Sequence, residues 1–488
     1  MGRLIMHCDL IFRDATVIDG TGAARRAADV GVTRDRIAAI GDLSAARADR
    51  EVIATGRVLA PGFIDAHTHD DRALLCGPEC LHCKMSQGVT TLVVGNCGIS
   101  LSPLRRTNRP PPPLDLLGDE SWWTFDSFAD YADRLDRQPP PLNAIALVGH
   151  MSLRVREMPE GDYARPATAA ETARMEARLD ESLAAGAWGI STGLWYAPSN
   201  AAPTDEVIAI AGALAKHGGL YATHMRDEGD GVLDSIAETL SIGKASGARA
   251  IISHFKCVGP QNHGRSTETL AAVERAVAAG VDVGFDVYPY FASSTVMRPE
   301  TLRDDVRVLV TWSVPHPEMQ GRDLAEVAAE WGMTRVEAAR SLLPAGAIYF
   351  QMNEADVDRI VAHPLAMIGS DGLPHDAFPH PRLWGTFPRV LGHYAREKRV
   401  FDLETAVHKC SGLTAARFGI PDRGILRPGA FADLVLFDPA TVTDTASFSA
   451  PATPAVGIEE TWVNGVSVYR YGSGPTGESP GRLIRRAS

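Results

Sequence analysis

From about Val58 the chain repeats one pattern, in which a short apolar run ends on a polar or small residue and an amphipathic helix follows. Alanine-rich helical patterns occupy residues 168–185, 205–216, 232–245 and 267–279. We expect the intervening strands to end near His67, Cys97, His150, Gly193, His224, Lys256, Tyr288 and Asp371. Strand–helix units repeated in this way predict an α/β fold, a (β/α)8 TIM barrel, over residues 58–415.

The two ends of the chain carry a different pattern from this central part. Short extended segments separated by turn residues fill residues 9–18, 28–32, 36–40 and 51–54, and strand-like runs return after residue 421. We therefore expect residues 1–57 and 416–488 to build one small β-sandwich beside the barrel. The stretch 291–364, between the seventh and eighth predicted strands, is long enough for an inserted subdomain, and we expect it to cover the site as a lid.

Two histidines, His67 and His69, directly follow the first predicted barrel strand. Residues two apart on a strand share a face, so both imidazoles can point to one place. Four other potential ligands end further apolar runs, and the C-terminal strand ends of such barrels meet at the active site. The alternative is that these are solvated loop histidines, a buried thiol and capped turns. The sequence predicts a metal site formed by His67, His69, Cys97, His224, His254 and Asp371.

The mixed nitrogen, sulfur and oxygen donors suit zinc better than magnesium or calcium, which prefer oxygen ligands. Six donors are enough for one catalytic zinc ion or for a close pair of ions. A second cluster, formed by Cys76, Cys80 and Cys83 beside His82, has C-x-x-C spacing that can bind zinc or do redox work. It lacks a second ligand pair nearby, so we interpret these cysteines as incidental thiols on a packed helix.

Composition restricts the partners and the location of the protein. A net charge of −12 argues against nucleic acid or an anionic membrane as the partner. Neither a membrane-spanning apolar stretch nor a secretory signal is visible in the sequence, and seven cysteines suit a reducing cytoplasm. We expect a cytoplasmic enzyme whose partner is a small-molecule substrate.

Seven motifs together resemble the amidohydrolase superfamily and, within it, the N-acyl-D-amino-acid deacylases, or D-aminoacylases. They are PGFIDAHTHDD at 61–71, GNCG at 95–98, GISTGL at 189–194, THMR at 223–226, SHFK at 253–256, DVYPY at 286–290 and GSDG at 369–372. Many superfamily members bridge two metals with a carboxylated lysine on the fourth strand, and this chain has no lysine within residues 187–193. The resemblance implies that Cys97 takes the bridging place.

The resemblance also implies roles for individual residues. It assigns a tightly bound zinc to Cys97, His224 and His254, and a second, weaker site to His67, His69 and Asp371. It makes Asp371 the general base and then the general acid, although a pure ligand role remains an alternative. The substrate carboxylate would be held by Lys256, Tyr288 and Arg382, for which a surface charge is the alternative at Arg382. His150, at the end of the third predicted strand, is either a hydrogen-bond donor to the developing oxyanion or a structural histidine.

These observations predict zinc-dependent hydrolysis of N-acyl-D-amino acids, where the D-handedness comes only from the resemblance. Trp195 and Phe291 favour neutral or hydrophobic side chains, because the segment 288–301 offers no cation for an acidic one except Arg298. Two alternatives on the same fold are a cyclic amidase of the hydantoinase or dihydroorotase kind and an isoaspartyl-type dipeptidase. The missing fourth-strand lysine argues against both. A non-enzymatic alternative is an inactive binding protein, which should have lost ligands that this chain retains.

Overall fold

The computed structural model describes residues 6–486, and its centre is a set of parallel strands. Within those residues eight strand positions follow one another in sequence and in space. Their bounds are Phe63–Asp65, Val89–Val94, Asn143–Ala146 continued by Val148–Gly149, Gly189–Gly193, Leu220–His224, Arg249–Ile252, Val283–Val287 and Ala366–Ile368.

Backbone hydrogen bonds also join the two sheets into which these strands are grouped. The amide of Ala66 donates to the carbonyl of Ile368 at 3.1 Å, which links the first strand to the last. The amide of Trp188 donates to the carbonyl of Ala146 at 2.9 Å, which links the third strand to the fourth. One buried apolar cluster takes side chains from strands in both sheets, including Ile64, Val93, Ile145, Ala222, Ile251 and Met367.

Both ends of the chain contribute to one nine-stranded sheet. Its strands are His7–Val17, Arg26–Thr33, Arg36–Gly41, Arg47–Ile53, Val58–Pro61, Leu434–Phe437, Ile458–Val463, Val466–Arg470 and Gly474–Pro475. Val58–Pro61 pairs with His7–Val17 on one side and with Leu434–Phe437 on the other. Residues 58–61, which we placed in the barrel segment, therefore lie in the end sheet. The tail packs back onto the central strands, where the amide of Ile484 donates a hydrogen bond to the carbonyl of Ala144 at 2.7 Å.

The helices connect the central strands and cover them. Ala169–Ala184 is typical: the Thr168 hydroxyl and the Glu171 carboxylate cap each other's backbone amides in a capping box, and Met175, Leu179 and Leu183 form its buried face. The α-helices are His82–Met85, Phe128–Arg137, His150–Glu157, Ala169–Ala184, Ala197–Asn200, Thr204–Ala211, Leu214–His217, Val232–Ser246, Ser266–Ala278, Leu324–Trp331, Arg335–Leu342, Glu354–Ala362, Arg382–Arg389, Leu403–Cys410 and Gly412–Phe418.

Short 3₁₀ turns lie at Ala73–Leu75, Pro78–Leu81, Leu114–Leu117, Glu120–Trp122, Pro260–Asn262, Pro299–Thr301 and Pro317–Met319. A π-helical segment, Val390–Glu397, continues the helix Arg382–Arg389, whose interior Pro388 lacks a backbone donor. Every helix within residues 6–486 is too short or too polar to cross a lipid bilayer.

The long insertion forms its own small unit. Strands Ser293–Val296, Ala345–Phe350 and Arg307–Ser313 make an antiparallel sheet, which the sequence pattern did not predict. The helices Leu324–Trp331 and Arg335–Leu342 pack on this sheet around an apolar cluster of their own. A two-stranded pair, Leu104–Arg105 with Thr124–Phe125, lies in the shorter excursion after the second central strand.

Three predicted elements differ from the structure for local reasons. The helix expected over 205–216 is interrupted after Ala211 at Gly212. The helix expected around Cys76, Cys80 and Cys83 is reduced to 3₁₀ turns and the single turn His82–Met85, because Gly77 has a φ of +91° and Pro78 follows it. His150 does not end a strand; it is the first residue of the helix His150–Glu157.

Candidate metal centre and active site

Six potential ligand side chains converge beyond the C-terminal ends of the central strands. Donor atoms of His67, His69, Cys97 and Asp371 lie within 4.8 Å of one another, and so do those of Cys97, His224 and His254. Cys97 belongs to both groups. Its Sγ is 3.2 Å from Nε2 of His67 and 3.3 Å from Nε2 of His254. The two groups therefore overlap at one thiol, which is the geometry of two adjacent cation positions sharing a ligand.

The donor set fits a metal such as zinc. All six side chains are buried, and Nδ1 of His69 and of His224 has no hydrogen-bond partner among residues 6–486. Buried ring nitrogens without partners are costly unless something coordinates or hydrogen-bonds them. Asp371 Oδ1 lies 3.3 Å from Nε2 of His69 and 3.5 Å from Nε2 of His67. Imidazole, thiolate and carboxylate arranged this closely form a typical zinc environment.

Most of these ligands stand in loops past the strand ends, and the backbone there is unusual. Cys97, His254 and Asp371 have φ angles of +54°, +36° and +47°, in the left-handed region that non-glycine residues rarely adopt. Such conformations persist where the surrounding structure enforces them, and they are common at functional sites. The first strand ends at Asp65, so His67 and His69 do not share a strand face; their rings nevertheless lie 5.5 Å apart.

The fourth strand supplies no ligand side chain, but its last residue, Gly193, lies close to the backbone of Cys97. A Cβ atom at Gly193 would lie 2.1 Å from the carbonyl oxygen of Cys97. The last residue of the strand Gly189–Gly193 therefore packs directly against the backbone of Cys97, where only glycine fits. The last residue of the fourth strand thus supplies no side-chain ligand, and its backbone lies directly against that of Cys97.

Buried carboxylates contact the potential ligands on the side away from the cavity-facing donor atoms, through ring nitrogens and backbone amides. Asp286 Oδ1 lies 3.3 Å from Nδ1 of His67 and accepts a hydrogen bond from the His254 amide at 2.8 Å. Asp65 accepts from the amides of His67 and Ser370 and from the buried Lys84 ammonium, which also donates to the Ser370 hydroxyl. This network connects the His67 loop to the Asp371 loop. Metal-binding histidines and carboxylates are usually oriented by partners of this kind.

Electrostatics keep two of the potential ligands ionised. Burial acts to raise the pKa of the Cys97 thiol, but His67 and His254 outweigh it, so that the pKa lies well below its usual range. Burial also acts against ionisation of Asp371, and the Arg382 guanidinium together with His254 holds its pKa well below the usual range. A thiolate and a carboxylate are the forms that ligate metals.

A cavity of about 290 Å³ opens onto the converging ligands and is lined by His69, His224, His254 and Asp371 among others. Aromatic and apolar side chains supply part of the wall: Leu116, Trp195, Tyr196, Val258, Tyr288, Tyr349 and Leu373. The insertion contributes Ser293, Ser294, Thr295, Thr301, Arg303, Tyr349 and Gln351. The inserted unit thus forms one wall of the cavity.

The residues expected to hold a substrate carboxylate lie near one another. Lys256 and Tyr288 line the cavity, and the Tyr288 hydroxyl has no hydrogen-bond partner among residues 6–486. Arg382 is fully buried, so it is not a surface charge; its guanidinium lies 4.4 Å above the Tyr288 ring, and its Nη1 is 2.9 Å from Oδ2 of Asp371. The sixth strand ends at Ile252, so Lys256 reaches the cavity from a loop.

His150 lies apart from the cavity lining. Its Nδ1 is 3.3 Å from the Ser199 hydroxyl and its Nε2 is 3.6 Å from Oε1 of Glu206, which also pairs with Arg154. These buried contacts favour the structural interpretation of His150 over that of an oxyanion donor.

Four buried charged residues at the site were not predicted from the sequence to be functional: Asp65, Asp286, Lys84 and Glu228. Asp286 begins the DVYPY motif, so its position was visible although its role was not. Glu228 follows His224 by four residues and lines the cavity. Lys84 lies on a segment whose helical pattern gave no sign of a buried ion pair.

The family model of the amidohydrolase family matches residues 50–469. The chain belongs to the amidohydrolase family, as the sequence motifs predicted. It is 52% identical over 480 residues to the D-aminoacylase of Alcaligenes xylosoxydans xylosoxydans, covering 98% of each chain. The N-acyl-D-aspartate and N-acyl-D-glutamate deacylases of the same organism are 51% and 49% identical over 98% of this chain and 95% and 96% of theirs.

Solved structures give the same family and the fold. The crystal structure of D-aminoacylase superimposes with a TM-score of 0.95 at 52% identity, covering 98% of this chain and 100% of that one. The N-acyl-D-glutamate deacylase from Bordetella bronchiseptica, complexed with zinc and a phosphonate mimic of the tetrahedral intermediate, gives 0.94 at 46% identity with the same coverage. The fold is therefore the amidohydrolase fold, of the TIM-barrel type.

Proposed function

We propose that this enzyme hydrolyses the amide bond of N-acyl-D-amino acids with zinc as its metal, giving a carboxylate and a free D-amino acid. The observation that carries the proposal is the convergence of six nitrogen, sulfur and oxygen donors at the wall of one cavity. The activities named for relatives that match nearly the full chain support the class of substrate and its handedness.

We propose that Cys97, His224 and His254 hold a tightly bound zinc, and that His67, His69 and Asp371 form a second, weaker position with Cys97 shared between them. A zinc ion at such a site polarises a carbonyl group and lowers the pKa of a water molecule bound to it. Asp371 then accepts a proton from the attacking water and passes it to the leaving nitrogen. Its low pKa keeps it ionised for the first of these steps.

Arg382, Lys256 and Tyr288 hold the substrate carboxylate in this proposal. The Arg382 guanidinium lies 2.9 Å from Asp371. A substrate carboxylate that binds Arg382 therefore competes with Asp371 for the same guanidinium. Sharing weakens the field that keeps Asp371 ionised, which helps Asp371 retain the proton before transfer. Substrate binding and proton transfer are thereby linked through one arginine.

We propose a preference for neutral or hydrophobic side chains. Trp195, Tyr196, Leu116 and Leu373 give the cavity an apolar surface. Lys256 and Arg382 are assigned to the α-carboxylate, and the other nearby cations already have partners: Arg298 pairs with Glu300 and Arg303 with Asp305. A second candidate, acidic side chains, is favoured by the presence of Arg303 in the cavity lining.

Release of free amino acid from N-acetyl D- and L-amino acids tests the proposal, with zinc content measured on the same preparation. We expect turnover of N-acetyl-D-leucine with bound zinc and a much lower rate for the L-enantiomer. Equal kcat/KM for N-acetyl-D-leucine and N-acetyl-D-glutamate would contradict the side-chain preference. Full activity after removal of all transition metal would contradict the mechanism.

We also propose an architecture for the whole chain. The eight parallel strands close into a barrel, since Ala66 and Ile368 join the first strand to the last. The end sheet folds into a β-sandwich built from residues 6–57 and 416–486, with 58–61 added to it. Residues 1–5 and 487–488, which the sequence also assigns to this sandwich, lie outside the described residues. Residues 291–364 form the subdomain beside the cavity. All seven cysteines lie free among the described residues, which supports a reducing, cytoplasmic location.

A further inference from the structure

Glu228 is a buried carboxylate of the cavity wall that contacts three site residues at once. Its Oε1 is 2.7 Å from Nζ of Lys256 and 3.0 Å from Nδ1 of His254, and its Oε2 is 3.8 Å from Nε2 of His224. The Glu228 carboxylate therefore lies, as a hydrogen-bond acceptor, beside one proposed carboxylate-binding residue and two proposed ligands.

Nδ1 of His254 lies beside one hydrogen-bond donor, Lys256, and one hydrogen-bond acceptor, Glu228. Lys256 Nζ lies 2.6 Å away and can only donate, which requires Nδ1 to be bare. Glu228 can only accept, which requires Nδ1 to carry the ring proton. A neutral imidazole carries one proton, so only one of these hydrogen bonds can exist at a time.

The choice between these two hydrogen bonds depends on the other ring nitrogen of His254. Nε2 faces the Cys97 thiol at 3.3 Å, on the side where the ligands converge. When Nε2 ligates a metal, the single ring proton must sit on Nδ1. Nδ1 then donates to Glu228 and can no longer accept from Lys256.

We propose that Glu228 is a positioning residue that couples metal binding to substrate binding. Glu228 accepts a hydrogen bond from Nδ1 of His254 when Nε2 ligates the metal. Its ion pair also keeps Lys256 beside the cavity once Lys256 has lost His254 as its acceptor. Lys256 then has donor protons free for the substrate carboxylate. The part that concerns substrate rests on the proposed function, and the part that concerns the metal does not.

Metal affinity tests the first half of the proposal without any substrate. Zinc alone is titrated into metal-stripped enzyme in competition with a chromophoric chelator, for wild type, Glu228→Leu and Glu228→Gln. Loss of an oriented partner of a ligating histidine typically costs about 10–100-fold in metal affinity, and we expect that loss for Glu228→Leu. We expect a smaller loss for Glu228→Gln, because the amide oxygen still accepts from Nδ1.

Asp230→Asn is the matched control, since Asp230 is a second carboxylate of the same cavity wall. The Asp230 carboxylate accepts from the side-chain amides of Gln261 and Asn262, at 2.9 and 2.8 Å, and the Asp230 backbone carbonyl accepts from Arg265. We expect wild-type zinc affinity for it. Wild-type affinity for Glu228→Leu, or an equal loss in Asp230→Asn, would overturn the role of Glu228. Glu228→Gln, which changes one atom, keeps the test valid if the leucine variant fails to fold.

Kinetics on N-acetyl-D-leucine test the second half at saturating zinc. We expect Glu228→Gln to raise KM much more than it lowers kcat, because Lys256 is no longer held. We expect Lys256→Met and the double variant to share the same KM, since neighbours acting through one contact are not additive. Additive effects on KM would overturn the coupling. Absence of any wild-type turnover would refute the proposed function and leave the zinc titration as the measure of Glu228.

Discussion

The carboxylate of Asp371 contacts His67 and His69 of the proposed metal centre through one oxygen and Arg382 through the other. It is therefore placed both to assist a metal and to move a proton. We expect Asp371→Asn to lower kcat by about 10²–10⁴-fold, the usual contribution of general acid–base catalysis. Steady-state kinetics with zinc content measured in parallel check this, and wild-type kcat in a folded variant would remove Asp371 from its role.

Arg382 offers a separate test of how the substrate carboxylate is held. Arg382→Ala removes a charge-assisted hydrogen bond, for which we expect a loss of about 1.5–3 kcal/mol in substrate binding. The loss should be much larger for N-acyl amino acids than for the corresponding amides, which lack the carboxylate. KM values for both substrate types decide this. An equal loss for the two would mean that Arg382 acts only through Asp371.

Lys409 should make the stability of the protein depend on alkaline pH. It is buried beside the Phe401 ring, donates to the carbonyl of His363, and burial lowers its pKa from 10.5 to about 8. Between these values the unfolded chain binds the additional proton, so the free energy of unfolding rises with pH in this window. Lys409 should contribute an increase of up to about 3 kcal/mol between about pH 8 and 10.5.

Chemical denaturation of wild type and Lys409→Met at both ends of that range measures this contribution. The variant lacks the titrating group, so the difference in unfolding free energy between the two proteins should change with pH by the stated amount. A difference that stays constant with pH would show that Lys409 titrates normally.

The sequence predicted which strands and loops supply the polar side chains of the site, but it predicted their local backbone geometry less well. The apolar runs located the central strands, and the polar residues after them do converge. The prediction that His67 and His69 share a strand face was wrong, because the strand ends at Asp65. Cys97 and Asp371 have positive φ angles although neither is a glycine, and no local pattern of residues predicted these angles. Likewise the insertion's sheet depends on pairing between residues about fifty positions apart.

The close packing of the fourth strand against Cys97 gives a prediction at this scale. A methyl group in Gly193→Ala would lie 2.1 Å from the Cys97 carbonyl oxygen, which is backbone and cannot move away cheaply. We expect a loss of about 1–3 kcal/mol in unfolding free energy and weaker zinc binding. Gly284→Ala is the control from another central strand, where the nearest atom to the added Cβ is 3.5 Å away. Equal behaviour of the two variants would contradict the proposed role of Gly193.

The proposed metal ligands come from five different strand ends, so a bound metal should cross-link these strand ends. An ion that binds only the folded state at a free concentration 100 times its Kd adds about 2.7 kcal/mol of stability. We expect chelation to lower the Tm of wild type and to have a much smaller effect on Cys97→Ala, which lacks the proposed shared ligand. Thermal unfolding with and without chelator measures both, and the same shift in the two proteins would contradict the expectation.

The sheet built from both chain ends has a consequence for synthesis on the ribosome. Val58–Pro61 emerges early, yet its partner Leu434–Phe437 is made about 370 residues later. At roughly 5–20 residues per second, one edge of that early strand stays unpaired for about 20 s or more. Unpaired strand edges invite association with other chains. The free edge of Val58–Pro61 thus remains accessible to other chains through most of translation. A chaperone that covers this edge should raise the yield of native enzyme.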